Sequence, residues 1–94
     1  MPKVIIIREA RAQLKDLPRS IRRGFMETFP ELEKSFGHHP SWIDCKSLGE
    51  IEGRAYWRVR IGDYRGTFTF DIEVIRFVRF RKRPPENYKG LPKL

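Results

Sequence analysis

The sequence predicts an α+β domain in which two helices cover one face of a single sheet and leave the other face bare. Three observations carry this. A β-branched run stands near the start, apolar residues recur at helical spacing between Ala10 and Phe36, and strict alternation sets in from Ala55 onward. With 94 residues the chain is read as one domain over 1–94 with a thin core, its last stretch (81–94) a basic, proline-rich tail.

Val4 to Ile7 is the β-branched run, and it reads as a buried strand. Glu9 to Leu17 follows as a short helix with Ala10, Leu14 and Leu17 on one side, ended by Pro18. A second helix begins near Ser20, where Ile21, Phe25, Phe29, Leu32 and Phe36 make an apolar stripe. Pro30 falls inside that stripe and predicts a kink or break, and Gly37 is a natural stop. His38 to Ser41 reads as a loop. Adjacent histidines there have no third ligand near in sequence, so no metal site is expected. Trp42 and Ile43 are expected to fold back onto the helices. Cys45 to Leu48 is read as a short strand and Gly49 to Gly53 as a turn.

The remainder is a meander. Ala55 to Ile61 and Tyr64 to Phe70 are strands joined by Gly62-Asp63, a two-residue hairpin turn in which glycine supplies positive φ. Asp71 to Glu73 turns again and Val74 to Phe80 is the last strand. A helical turn is expected near Glu86 to Tyr88.

Twenty Lys and Arg against twelve Asp and Glu give a net charge of +8. Residues 1–53 hold nine basic and eight acidic side chains, whereas residues 54–94 hold eleven and four, so the positive field belongs to the second half. Eight of those eleven are arginine, whose planar fork suits phosphate. Such a field attracts polyanions. Cys45 is the single cysteine, which fits a reducing cytoplasm, and the N-terminal apolar run is too short for a membrane span. Neither disorder nor a membrane-spanning class fits the composition.

Alternation sorts the arginines. Arg58 and Arg60 share one face with Tyr56, while Trp57, Val59 and Ile61 share the other with Tyr64, Phe68 and Phe70. The two-residue turn pairs Ile61 with Tyr64 and therefore Arg60 with Arg65. Arg58, Arg60 and Arg65 thus converge on the open side. Like charges placed opposite each other destabilise a sheet, so phosphate binding explains the cluster better than fold stability does. For the last strand two alternatives stand: Arg76, Val78 and Phe80 on the open face, or Arg79 and Arg81.

The stretch Gly53-Arg-Ala-Tyr-Trp-Arg-Val-Arg-Ile-Gly-Asp-Tyr-Arg65 resembles the RelE/ParE toxin hallmark, roughly Tyr-Arg-Leu-Arg-Val-Gly-Asp-Tyr-Arg. Leu17-Pro18, Lys46-Ser47-Leu48 and Lys82-Arg83 followed by Tyr88 extend the resemblance over nearly the whole chain. The resemblance implies a first strand lying beside the last and a toxin neutralised by a cognate antitoxin protein. It is closer to the RelE type, which cuts messenger RNA on the ribosome without a metal or cofactor, than to the ParE type, which inhibits gyrase. A non-catalytic basic RNA-binding domain is the remaining alternative. By this resemblance the catalytic residues are Arg58, Arg60, Arg65, Arg83 and Tyr88. The expected RNA contacts are Arg54, Tyr56, Arg76, Arg79, Arg81, Lys82 and Lys89. The implied partners are the antitoxin, the ribosome and messenger RNA, with no membrane and no small-molecule cofactor. Two departures stand out. Arginine replaces the lysines usual on the first meander strand, and arginine does not serve readily as a base. Pro84-Pro85 replaces basic residues of the family pattern.

Overall fold

The computed structural model describes residues 2–35, 42–71 and 73–82. Their order is β1 (Lys3–Ile6), α1 (Arg8–Lys15), α2 (Arg19–Ser35), β2 (Asp44–Ile51), β3 (Arg54–Ile61), β4 (Tyr64–Phe70) and β5 (Val74–Lys82). The five strands form one sheet in the order β1-β5-β4-β3-β2, so the first strand lies beside the last, parallel to it, and the other pairings are antiparallel. No helix among the described residues is long and apolar enough to cross a membrane.

The core lies between the helices and one face of the sheet. Ala10, Leu14 and Leu17 from α1 and its exit, and Phe25 and Leu32 from α2, are buried with Val59, Phe68, Ile75, Phe77 and Phe80. Its centre is aromatic. Phe77 and Phe80 stack with centroids 5.2 Å apart, Phe25 meets Phe80 edge-on at 5.1 Å, and Phe68 and Phe29 close on Phe77 at 4.9 and 5.0 Å. Each such pair adds about 0.5–1.5 kcal/mol beyond its area burial.

Two polar side chains close the β1–β5 margin of the sheet. Val4 donates its backbone N–H to Glu33 Oε2 of α2 at 2.8 Å. Past Ile6, where β5 has no strand partner on that side, the Phe80 N–H is taken by Gln13 Oε1 of α1 at 2.9 Å. An unmade hydrogen bond at a buried backbone group costs about 1–3 kcal/mol, so both side chains stabilise the sheet margin.

Several expectations need correction. The first strand is an edge strand rather than a buried one: Ile5 lies on the open face and is 43% exposed. The second helix runs unbroken from Arg19 through Pro30 to Ser35. Pro30 and Met26, whose carbonyl loses its partner, both sit on the exposed side, where solvent reaches that oxygen. Ile43 is buried as expected, but Trp42 is 60% exposed. The strand expected over Cys45–Leu48 spans Asp44–Ile51, and the turn shrinks to Glu52-Gly53, both with positive φ. Arg81 and Lys82, assigned to the tail, continue β5. Of the core expected on the meander, Val59 and Phe68 are buried, whereas Trp57, Ile61, Tyr64 and Phe70 are half-buried. Phe36, Gly37, His38, His39 and the helical turn near Tyr88 lie outside the described residues.

Candidate functional site

The Gly62-Asp63 turn holds the register inferred for it. Gly62 has φ +57, suited to the first central position of a two-residue hairpin turn, and Arg60 pairs with Arg65. The last strand resolves the open alternatives in an unexpected way. Phe68 pairs with Phe77 while Thr67 pairs with Arg79, so Val78 is an extra residue, a β-bulge. Before it, Arg76 takes the open face; after it, Arg79 and Arg81 do. The same insertion sends both Phe77 and Phe80 into the core, and places neither Val78 nor Phe80 in the arginine rows.

Three cross-strand rows result on the open face. Arg60, Arg65 and Arg81 make the first, Arg58, Thr67 and Arg79 the second, and Tyr56, Thr69 and Arg76 the third. Lys82 pairs with Tyr64 and so stands on the helix side, off the arginine rows. Arg54 precedes Tyr56 by two residues and continues the face toward the β2–β3 turn. Arg83, Tyr88 and Lys89 lie outside the described residues.

One participant was not anticipated. Asp44 stands opposite Arg60 in β2, with Lys46 opposite Arg58. Asp44 Oδ1 accepts a hydrogen bond from Arg58 Nη1 at 3.0 Å, and its Oδ2 lies 3.7 Å from Arg60 Nε. The same Arg58 Nη1 donates to the Asp44 carbonyl at 3.3 Å. The Arg58 hydrogen bond, aided by the charges of Arg58, Arg60 and Lys46, holds the Asp44 carboxyl below the usual carboxylate range against a smaller opposing effect of burial. Arg58 and Arg60 are accordingly not free in solvent: the Arg58 side chain is only 11% exposed and that of Arg60 38%. Counting back from the Glu52-Gly53 turn would place Cys45 opposite Arg60. A register shift between Ser47 and Gly49, with Leu48 as the extra residue, brings Asp44 there instead. That shift is why the sequence did not reveal the carboxylate.

Arg79 is a cation whose charge burial penalises. Burial lowers its affinity for the proton, and neighbouring Arg81 lowers it further. Its Nη1 is buried and has no hydrogen-bond partner among the described residues. A buried donor without an acceptor costs about 1–3 kcal/mol, more when charged, and an anion's oxygen arriving there would recover it. Cys45 belongs to the opposite side of β2. Burial pushes its thiol up to about 11, so it remains protonated at neutral pH and is no nucleophile.

No family model matches the chain, and no curated protein matches it. Solved structures do. In the archaeal RelE–RelB complex from Pyrococcus horikoshii OT3, the matched chain is 24% identical with a TM-score of 0.70, over 87% of this chain and 94% of that one. The RelB–RelE antitoxin–toxin complex from Methanococcus jannaschii gives 23% identity and a TM-score of 0.65, over 83% and 88%. The toxin–antitoxin complex RelBE2 from Mycobacterium tuberculosis gives 24% and 0.66, over 88% of this chain and 100% of that one. The element order, the strand order and these matches agree: the chain has the RelE-type toxin fold.

Proposed function

We propose that this protein is the toxin of a toxin–antitoxin pair and that it inhibits translation by cutting messenger RNA on the ribosome without a metal ion. The observation that carries the reading is the Arg60–Arg65–Arg81 row beside the Arg58–Thr67–Arg79 row, on the sheet face that the helices leave uncovered. Three arginines in cross-strand succession oppose folding. Asp44 offsets part of that repulsion at Arg58 and Arg60. A phosphate-bearing ligand accounts for the rest, and the buried Arg79 Nη1 is a donor suited to it. The fold shared with chains from RelE–RelB complexes supports an antitoxin partner.

In this reading the RNA 2′-hydroxyl attacks its own 3′ phosphorus, and the 5′ oxygen of the next nucleotide leaves. Arg65 stabilises the charge that gathers on the phosphorane oxygens. Arg60, steadied by Asp44, and Arg81 flank it. Preorganised donors of this kind stabilise the transition state without reorganising at the moment of reaction. Arg83, which follows β5 directly, steadies the leaving group, and Tyr88 stacks on a base or takes part in proton transfer. Arginine is a poor base, so the protein depends on the ribosome to align the hydroxyl.

Arg65→Ala is expected to lower ribosome-dependent cleavage by about 10²–10³-fold, the loss typical of one preorganised donor. Ribosome co-sedimentation should change far less, because the other cations keep the nonspecific attraction to phosphate. Primer extension on translated transcripts, with growth arrest as the second readout, tests this. DNA breaks in place of transcript cuts would identify a gyrase-directed inhibitor, and neither kind of cut a plain RNA binder. Full toxicity in a folded Arg65→Ala protein would refute the assignment.

A further inference from the structure

The open face does not end with its third row. At the end of the sheet away from the Gly62-Asp63 turn lies a cleft of about 450 Å³, between Gly53, Arg54 and Ala55 at the entry to β3 and Thr69, Phe70, Asp71 and Arg76. It has the size of a small-ligand site, room for one nucleotide and not for several. Its chemistry is mixed in a way that a bare phosphate site is not. Arg54, Arg76 and Thr69 reach it from the open face with two positive charges and a hydroxyl, while Ala55 and Phe70, which alternate onto the helix side, and Asp71 with its carboxylate line it where the sheet ends. Glu52-Gly53 turns sharply with both φ values positive, and Gly53 bears no side chain to narrow the entrance.

The cleft is continuous with the arginine rows. Arg76 belongs to the third row, four residues along the strands from the Arg60–Arg65 row, which is about 13 Å, a span that an extended single strand crosses in about two nucleotides. We propose that the cleft is a second RNA subsite, which takes the nucleotide about two positions from the phosphate held at Arg65. Arg54 and Arg76 hold its phosphate on the open face, and its base reaches over the end of the sheet toward Ala55, Phe70 and Asp71. Asp71 repels a free phosphate and accepts a hydrogen bond from an exocyclic amino group, so the subsite prefers adenine, cytosine or guanine to uracil. The proposal rests on the RNA-directed reading above, and adds to it a point of contact that sets which sequences bind.

The test uses fluorescence anisotropy of the full chain with 2′-O-methyl oligoribonucleotides, which cannot be cleaved, two or five nucleotides long, at fixed salt. Arg54→Ala/Arg76→Ala is expected to weaken binding of the pentanucleotide about tenfold and to leave the dinucleotide within twofold. Arg11→Ala/Arg23→Ala removes the same charge from exposed helix positions and should change neither by more than about twofold. Arg65→Ala should weaken both probes. Asp71→Asn should reduce the preference for an amino-bearing base over uracil among pentanucleotides. If the Arg54/Arg76 variant binds the pentanucleotide as the helix control does, while Arg65→Ala still weakens both probes, the cleft is not a subsite and the RNA reading stands. If wild type binds neither probe, the RNA reading falls, and the subsite with it. Thermal melts confirm that each variant is folded.

Discussion

Gly66 shows how little room the core leaves. It sits in β4 opposite both Val59 and Phe80, and a Cβ there would come within 2.8 Å of Phe80 Cε1 and 3.1 Å of Phe77 Cε2. Those rings are stacked on each other, so neither can yield without disturbing its partner. Gly66→Ala is therefore expected to destabilise the protein by about 1–3 kcal/mol, read as a shift of the urea midpoint. Asp44 poses the opposite kind of residue question, one of charge. Its carboxyl is held below the ordinary value of 3.8, foremost by the Arg58 hydrogen bond. A depressed carboxyl stabilises the fold above its unfolded value and loses that contribution as pH falls through the folded one. Asp44→Asn should thus be less stable than wild type between about pH 5 and 8, with the gap closing at more acid pH. The gap should be small, because the Asp44 side chain is 51% exposed and solvent screens the pair. A gap that persists unchanged at the acid end would show that Asp44 acts by packing and not by charge.

At the scale of elements, β5 is the strand on which both faces depend. A regular strand would send Phe77 and Phe80 to opposite sides, since they are three residues apart. The bulge at Val78 lets both enter the core and places Arg76, Arg79 and Arg81 together on the other side. Deleting Val78 converts β5 into a regular strand in which every other residue keeps its face. The deletion should therefore preserve the fold and cost less than Phe80→Ala, for which about 3–5 kcal/mol is expected. Comparing denaturation midpoints of the two variants checks this, and a Val78 deletion that fails to fold would mean the bulge is needed for strand curvature. Gln13 and Glu33 tie the helices to the β1–β5 margin through single hydrogen bonds, so α1 braces the strand that carries three of the arginines and α2 braces β1 beside it.

For the whole molecule, the two faces of one sheet carry separate tasks. One is sealed by helices around an aromatic cluster; the other carries cationic rows on which Asp44 is a carboxylate counterweight. A small core with a strongly basic face suits a partner of opposite charge, an acidic or amphipathic antitoxin segment. The product of the neighbouring open reading frame is expected to form a complex, relieve growth arrest and raise the melting temperature. A partner at a hundredfold excess over its Kd stabilises by about 2.7 kcal/mol. Co-expression followed by thermal melts measures all of this, and no complex with any adjacent product would remove the antitoxin from the proposal.

Local periodicity was enough to establish the α+β class, the helix faces and the Arg60–Arg65 pairing, because each depends on spacing within a short stretch or on a turn of two residues. The position of the first strand beside the last came from the family resemblance rather than from periodicity. What local spacing missed was set by contacts between distant segments. Pro30 passes through α2 because its side of the helix faces water. Trp42 stays outside although Ile43 beside it is buried. The extra residues Leu48 and Val78 shift the two strands that flank the central pair, and each shift is decided by what packs against the neighbouring strand. A bulge has no period of its own, so alternation read along β5 necessarily divided Arg76 from Arg79 and Arg81, and alternation along β2 hid Asp44. The sequence by itself determined which residues were available to the site; only tertiary packing, by choosing where the period breaks, decided which of them share a face.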